Sequence, residues 1–441
     1  MTQGSEIGHI VRFSLPLLVG NVFQQLYNVV DSIVVGKHLG ADAIAAIGAT
    51  GSVTYLFYAL CLGLSIGAGV LIAQFFGAGN EAGYKAAIVN SAFVTGVFGI
   101  LISLLSVFFT HPILQALRTP DALIESSAQF MHITCGGTIA VAAYNWIASA
   151  MRAFGDAKTP LFFLMLASVL NVILELLFVI VLDFSVAGAA WGTVLSQTVS
   201  AAASIIYAFT KNPHFKLTAA HLKIEKPYAL RCMKMGLPIA AQNALIAVSM
   251  VMLQRVTNGF GETVMAAYTV SMRIEQFVQQ PFASLNAAIS AFVAQNIGAR
   301  EVKRAVKGFH AGFAISAGIA VTVMTVFLLL ANHLVGIFVS DPDVIRIGAG
   351  ALRMTACFYL FLGAIHTTRG FLNGAGDTSY ALINGFVEVV GRVGFSLLLV
   401  HIPAFGFWTV WTTTCITWVL TAGMSMLRYK QKKWLGKCAT E

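Results

Sequence analysis

Ala73-Gln74-Phe75-Phe76-Gly77-Ala78 closes one long apolar run, and Ala294-Gln295-Asn296-Ile297-Gly298-Ala299 closes another 221 residues downstream. The same offset carries Gly155-Asp156 onto Gly376-Asp377, and an offset one residue longer carries Leu15-Pro16 onto Leu237-Pro238. Matches in the same order at a constant spacing describe a chain built twice. Around them the 441 residues are 58% hydrophobic and only 10% charged, with a mean hydropathy of +0.81; soluble domains carry about 25% charged residues. So few polar groups make the bilayer the solvent, and only helices or a closed barrel satisfy their backbone there. The apolar runs are roughly 20 residues long rather than alternating strands of about 10, which selects helices.

Polar punctuation predicts spans over 13–36, 48–75, 87–110, 127–150, 160–182 and 187–209 in the first half. The second half repeats them over 236–257, 267–295, 308–331, 347–370, 380–401 and 405–427. An even number of spans per half brings both halves in from the same side, so the repeats are parallel, related by an axis along the membrane normal. The expected fold is an all-α membrane protein of about twelve transmembrane helices in two six-helix lobes around a central cleft. Its parts are an N-terminal lobe (10–210), a cytoplasmic linker (211–234), a C-terminal lobe (235–430) and a cytoplasmic tail (431–441).

The 27 basic residues exceed the 18 acidic ones. A basic chain can signal nucleic acid, but here the excess marks cytoplasmic connections, and no nucleic-acid partner is expected. With the N-terminus inside, only Lys37, Arg118 and Arg346 fall in outer connections, whereas Lys211, Lys216, Lys223, Lys226, Arg231 and Lys234 crowd the linker and Arg369 ends a span on the inner side. Arg255, Arg273, Arg353 and Arg392 stay in or near spans. Both termini are therefore expected in the cytoplasm, with the chain multi-pass in the membrane and no cleavable leader. Cys61, Cys135, Cys232, Cys357, Cys415 and Cys438 are scattered without a C-x-x-C pair, which argues against a disulfide framework or a zinc site.

Four carboxylates lie well inside apolar spans: Asp31, Glu175, Glu275 and Glu388. A charge at mid-bilayer costs at least ~2.5–3.5 kcal/mol, so each needs a partner or a wet cavity; a structural contact between helices is the alternative to function. Asn171 and Glu175, at i and i+4, share one helix face, and an amide carbonyl beside a carboxylate suits an alkali cation or a proton. Thr193 and Asn145 could complete the set, although a lone Thr or Asn in a membrane helix more often joins helices. Pro16 either kinks the first span or sits in its first turn. In the second half Glu388 and Arg392 are spaced for a local ion pair, Glu275 lies two residues after Arg273, and Arg255 reads as buried on similar terms. The repeat sets Leu253 opposite Asp31 with Gln254 beside it, so the halves are not chemically equivalent. Gly63 and Gly67 read as close helix packing. No Walker or dinucleotide motif, nucleophile–base set or metal cluster appears, so neither ATP-driven pumping nor enzyme activity is expected.

Leu26-Tyr27-Asn28-Val29-Val30-Asp31-Ser32-Ile33-Val34-Val35-Gly36-Lys37-His38-Leu39-Gly40 resembles the multidrug and toxic compound extrusion (MATE) family. So do Ala73-Gln74-Phe75-Phe76-Gly77, Arg152-Ala153-Phe154-Gly155-Asp156 and Gly370-Phe371-Leu372-Asn373-Gly374-Ala375-Gly376-Asp377; the likeness runs over about 10–430. The resemblance implies an antiporter of the bacterial inner membrane that exports small organic cations and drugs in exchange for H⁺ or Na⁺, with no other cofactor and the lipid bilayer as its surroundings; a monomer is expected. It implies Asp31 as the first-span acid, Pro16 as the bending proline, and Asn145, Asn171, Glu175 and Thr193 as the cation site, with Na⁺ at Asp31, Asn171 and Glu175. Tyr27, Gln254, Glu275, Glu388 and Arg392 are weaker candidates for the substrate cleft and second lobe. Glu175 stands where well-studied members of the DinF-like branch carry Asp, which bears on ion choice. Gln254 occupies the region of the NorM-like acid pair, which favours the DinF-like branch. A flippase of a lipid-linked precursor, with the same two-lobe plan, is the alternative; it would need Arg255, Arg273 and Arg392 lining the cleft rather than tied to acids.

Overall fold

The computed structural model describes residues 1–117, 119–218 and 221–437, apart from the side chains of Ala41 and Ser52; Arg118, Cys438 and the rest of the tail lie outside it. Among the described residues there is no β-strand. The first half holds α1 (Glu6–His38), α2 (Gly40–Gly77), α3 (Glu81–Phe108), a short α4 (Thr110–Ala116), α5 (Asp121–Gly136), α6 (Thr138–Ala153), α7 (Lys158–Leu176) and α8 (Ser185–Lys211). The second holds α9 (Lys226–Asn258), α10 (Glu262–Gly298), α11 (Val302–Gly336), α12 (Pro342–Ala356), α13 (Tyr359–Gly374), α14 (Ser379–Val389), α15 (Phe395–Leu399) and α16 (Thr409–Lys430).

Every expected span is occupied by helix, but not every span is one helix. The fourth is divided at Gly137 into α5 and α6, and the tenth is bent by 53° between α12 and α13. The fifth and eleventh pass into π-turns at Leu177–Val181 and Val390–Gly394. Eight of the described helices are individually long and apolar enough to cross a bilayer, and nine if the bent pair counts as one. Polar residues such as Arg273, Glu275, Gln276, Gln279 and Gln280 lower the apolarity of α10, and the broken spans are short piecewise. Large side chains including Phe108, Val181, Leu329 and Ile337 are exposed, as expected of surfaces solvated by lipid.

α1 begins at Glu6, so of the two readings of Pro16 the interior one holds and the first-turn one does not. One expectation needs correction. α9 begins at Lys226, so Lys226, Arg231 and Lys234 form its first turns instead of extending the linker. What remains of that linker is fastened by Asn90 of α3, whose side chain donates to the Lys223 carbonyl (3.3 Å) and accepts from the Glu225 amide (2.7 Å).

The chain divides into two compact units. One is 19–240, called here the first lobe; the other, the second lobe, combines 1–18 with 241–441. α1 and α9 therefore change unit two residues after Pro16 and Pro238. The repeat extends to backbone detail: Gly155 and Gly376 share a left-handed φ (+89° and +86°), and so do Gly79 and its counterpart Arg300 (+67° and +61°). The aspartates that follow the first pair have diverged. Asp156 caps α7 through the amides of Lys158 and Thr159, whereas Asp377 takes a two-pronged ion pair from Arg428 (2.7 and 2.9 Å).

Within the first lobe, Gly63 faces the Ala240 backbone and Gly67 that of Gly236, so α2 and α9 meet main chain to main chain. A Cβ on Gly67 would stand 2.5 Å from Gly236 Cα, whereas one on Gly48 would meet nothing within 4 Å. Gly67→Leu should therefore lower the melting temperature of the detergent-purified protein, by the ~1–3 kcal/mol typical of overpacking. Gly48→Ala should hold or raise it through better helix propensity, worth up to ~1 kcal/mol.

Candidate functional site

In the first lobe, Tyr27 and Asp31 stand one turn apart on α1, as do Asn171 and Glu175 on α7, and the two pairs come together. The Asp31 and Glu175 carboxyl groups lie near enough to act on one another electrostatically, and both act on the Tyr27 hydroxyl. Glu175 is fully buried and Asn171 nearly so. α8 closes the third side. Gly192, where a Cβ would stand 3.1 Å from the Glu175 amide nitrogen, lets its backbone approach, and Thr193 accepts a hydrogen bond from the Asn171 amide (3.3 Å) while donating to the Ala189 carbonyl (3.2 Å).

This arrangement occupies the amide donor of Asn171 and leaves its carbonyl oxygen, with both oxygens of Glu175, buried and without a hydrogen-bond donor. Among the described residues, neither Asp31 nor Glu175 joins an ion pair with a basic side chain. Two carboxyls and an amide carbonyl, all acceptors, form a set of hard oxygens suited to a proton or a small hard cation. The Asn145 amide nitrogen donates to the Val141 carbonyl of its own helix (2.9 Å).

The second lobe is organised differently. Glu388 accepts from Arg369 (2.6 Å) and lies 3.4 Å from Arg392, and all three side chains are at least 86% removed from solvent. Arg392 also donates to Ser249 (2.7 Å), and Arg369 to Asn384 (2.7 Å). Asn384 in turn accepts from Gln242 and donates to Ser425. Glu275 is held by the Thr355 hydroxyl (2.8 Å), in the last turn of α12 before the bend, and feels Arg392 electrostatically. Gln254 is spent locally on Asn258.

Arg255 and Arg273 are exposed, not buried. Arg369, read as the cytoplasmic end of a span, is instead a member of the buried network. Only the four-residue spacing of Glu388 and Arg392 signalled this network in the sequence. Ser249, Gln242, Asn384 and Ser425 carry no periodic or motif signature and are brought in by tertiary packing.

A family model for MatE matches the chain twice, over 16–177 and over 238–398. The chain belongs to the MatE family. Both copies of the MatE repeat begin at a proline, Pro16 or Pro238, and end just beyond the polar face of α7 or its counterpart. A probable multidrug resistance protein of Bacillus subtilis (strain 168), YpnP, is 28% identical over 88% of this chain and 86% of its own length. A probable multidrug resistance protein NorM of Thermotoga maritima is 23% identical over 96% and 92%. A crystal structure of MATE in complex with MaL6 superposes with a TM-score of 0.92 at 24% identity, over 98% of this chain and 97% of that one. This MatE chain is thus a multi-pass membrane protein with the MATE transporter fold.

Removing one member of a buried ion network strands the others. Glu388→Ala is expected to destabilise the protein by ~3–5 kcal/mol, read as a fall in melting temperature. The exposed pair Arg346–Asp343 is worth at most ~1 kcal/mol, so Asp343→Ala serves as the control that leaves it nearly unchanged.

Proposed function

We propose that this protein is a secondary active antiporter that exports organic cations and drugs across the cytoplasmic membrane in exchange for H⁺ or Na⁺, with both termini inside. Membership of the MatE family and the names of its bacterial relatives support the transport class. The observation that carries the coupling is the buried, unpartnered carboxylate of Glu175 and carbonyl of Asn171, on which Asp31 acts electrostatically. Among the described residues these acidic groups have no basic partner, so their charge is matched by an ion that comes and goes.

An ion entering from outside binds between α1 and α7, neutralises the pair and draws the two helices together. Pro16 deletes one backbone hydrogen bond inside α1, which gives that helix a point at which to bend as Asp31 is pulled. A cationic substrate and the coupling ion compete for the same negative charge, so loading one favours release of the other and alternating access becomes exchange. The membrane potential contributes ~2.3 kcal/mol per 100 mV for each net charge carried inward per cycle, so it adds to the ion gradient when more ion charge enters than substrate charge leaves. Against the flippase alternative stands Arg392, one of the three arginines it needs in the cleft, which is tied to Glu388.

The test is efflux of a fluorescent organic cation from proteoliposomes under an imposed pH or Na⁺ gradient. Wild-type protein should accumulate the dye against its gradient under one of the two. Asp31→Asn and Glu175→Gln should each reduce gradient-driven transport at least tenfold. Undiminished turnover in Asp31→Asn would remove that residue from the mechanism.

A further inference from the structure

The repeat register, 222 residues at the first helix and 221 thereafter, allows the interior of one lobe to be compared with that of the other. It pairs Asp31 with Leu253 and Tyr27 with Ser249 on α1 and α9, and Asn171 with Arg392 and Glu175 with Ser396 on α7 and its counterpart. The boundaries of the two family matches, 16 to 238 and 177 to 398, keep the same register at both ends. The contact between Arg392 and Ser249 therefore joins the same helix faces that meet at Asp31 and Glu175 in the first lobe. Where the second lobe carries Arg369 and Glu388, the first has Ala148 and Ala167, both buried. Among the described residues the first lobe thus has two acids and no base at this junction, and the second has arginines with a matching acid.

We propose that the Arg369–Glu388–Arg392 triad is a covalently attached replacement for the exchangeable cation, so that the second lobe docks its first helix without an ion and coupling is confined to the first lobe. The inference rests on the reading of Asp31 and Glu175 as the ion site. The charged and titratable groups that bear on the triad come from several elements. Glu275 and Tyr268 of α10 interact with Arg392, and His366 lies near Arg369 on α13. Arg369 and Arg392 both meet Glu388, so that carboxylate leaves nothing for a free ion to neutralise. The π-turn that contains Arg392 sets the side chain's direction off the regular helical course, and π-turns recur where a helix presents a functional group. Arg392 and Arg369 act here as positioning residues: they stand in for an ion and are not expected to touch the transported substrate.

The experiment measures thermal unfolding of the full chain in detergent with and without Na⁺, and across pH. Wild type should be stabilised by one of the two cations, and Asp31→Asn should lose that stabilisation. In the Asp31→Asn background, Arg369→Gln with Arg392→Asn leaves Glu388 without a base and should restore a cation-dependent upward shift of several degrees. Adding Glu388→Gln should abolish it. A folded arginine double variant with no restored shift overturns the proposal.

Should that variant not fold, the charge-free Arg369→Gln/Glu388→Gln/Arg392→Asn protein with Asp31 intact decides, because it strands no buried charge. An unchanged wild-type ion response supports the proposal, and a lost one overturns it by placing the triad inside the coupling path. Retention of the full ion response by Asp31→Asn alone would instead sink the first-lobe coupling site, an outcome distinct from any reading of the arginine variants.

Discussion

A charge held at lipid depth has no water to turn to, and must be matched by something the protein holds or admits. The two halves meet this requirement in opposite ways. In the second half the match is internal: Glu388 lies between two arginines, Asn384 links Arg369 to Gln242 and Ser425, and Glu275 takes the Thr355 hydroxyl. In the first half Asp31 and Glu175 confront one another beside an amide oxygen, with no basic partner among the described residues. One arrangement is a closed circuit; the other is completed by an ion from the aqueous phases.

The surrounding helices are shaped to support both arrangements. Glycine at 192 brings α8 against the Glu175 backbone, and glycines at 63 and 67 let α2 and α9 approach along their main chains. Such contacts substitute for the hydrophobic driving force that is absent between helices in lipid, where packing and hydrogen bonds do most of the work. Irregular backbone is tolerated at depth only where it is buried or lines a cavity. The π-turn after Glu175 and the one holding Arg392 both adjoin the polar groups, as does the bend beside Thr355.

Much of this was legible in the amino-acid pattern, because its causes are local or repetitive. Span length, the rarity of charge and the Gly-Asp and Ala-Gln echoes follow from the solvent and from duplication, and i, i+4 spacing placed Asn171 and Glu175 on one face. Features that depend on distant neighbours were not. Cys357-Phe358 contains neither Pro nor Gly, and nothing local announces the bend there. Arg369 reads like any basic span end until Glu388, nineteen residues on, is seen beside it. Pro16 was ambiguous because the turns before it are polar enough to pass for a loop.

The division of α1 and α9 between compact units bears on how such a chain could arise and be taken apart. Each unit is completed by the opening turns of a helix whose remainder belongs to the other, as in a pair of identical subunits that exchange arms. Severing the connector near 218 would therefore yield two fragments, neither of which encodes a whole compact unit. Together they would hold every piece. Duplication and fusion of an arm-exchanging ancestor would give this pattern, and it makes the two gene halves interdependent for folding even where their interior chemistry has drifted apart.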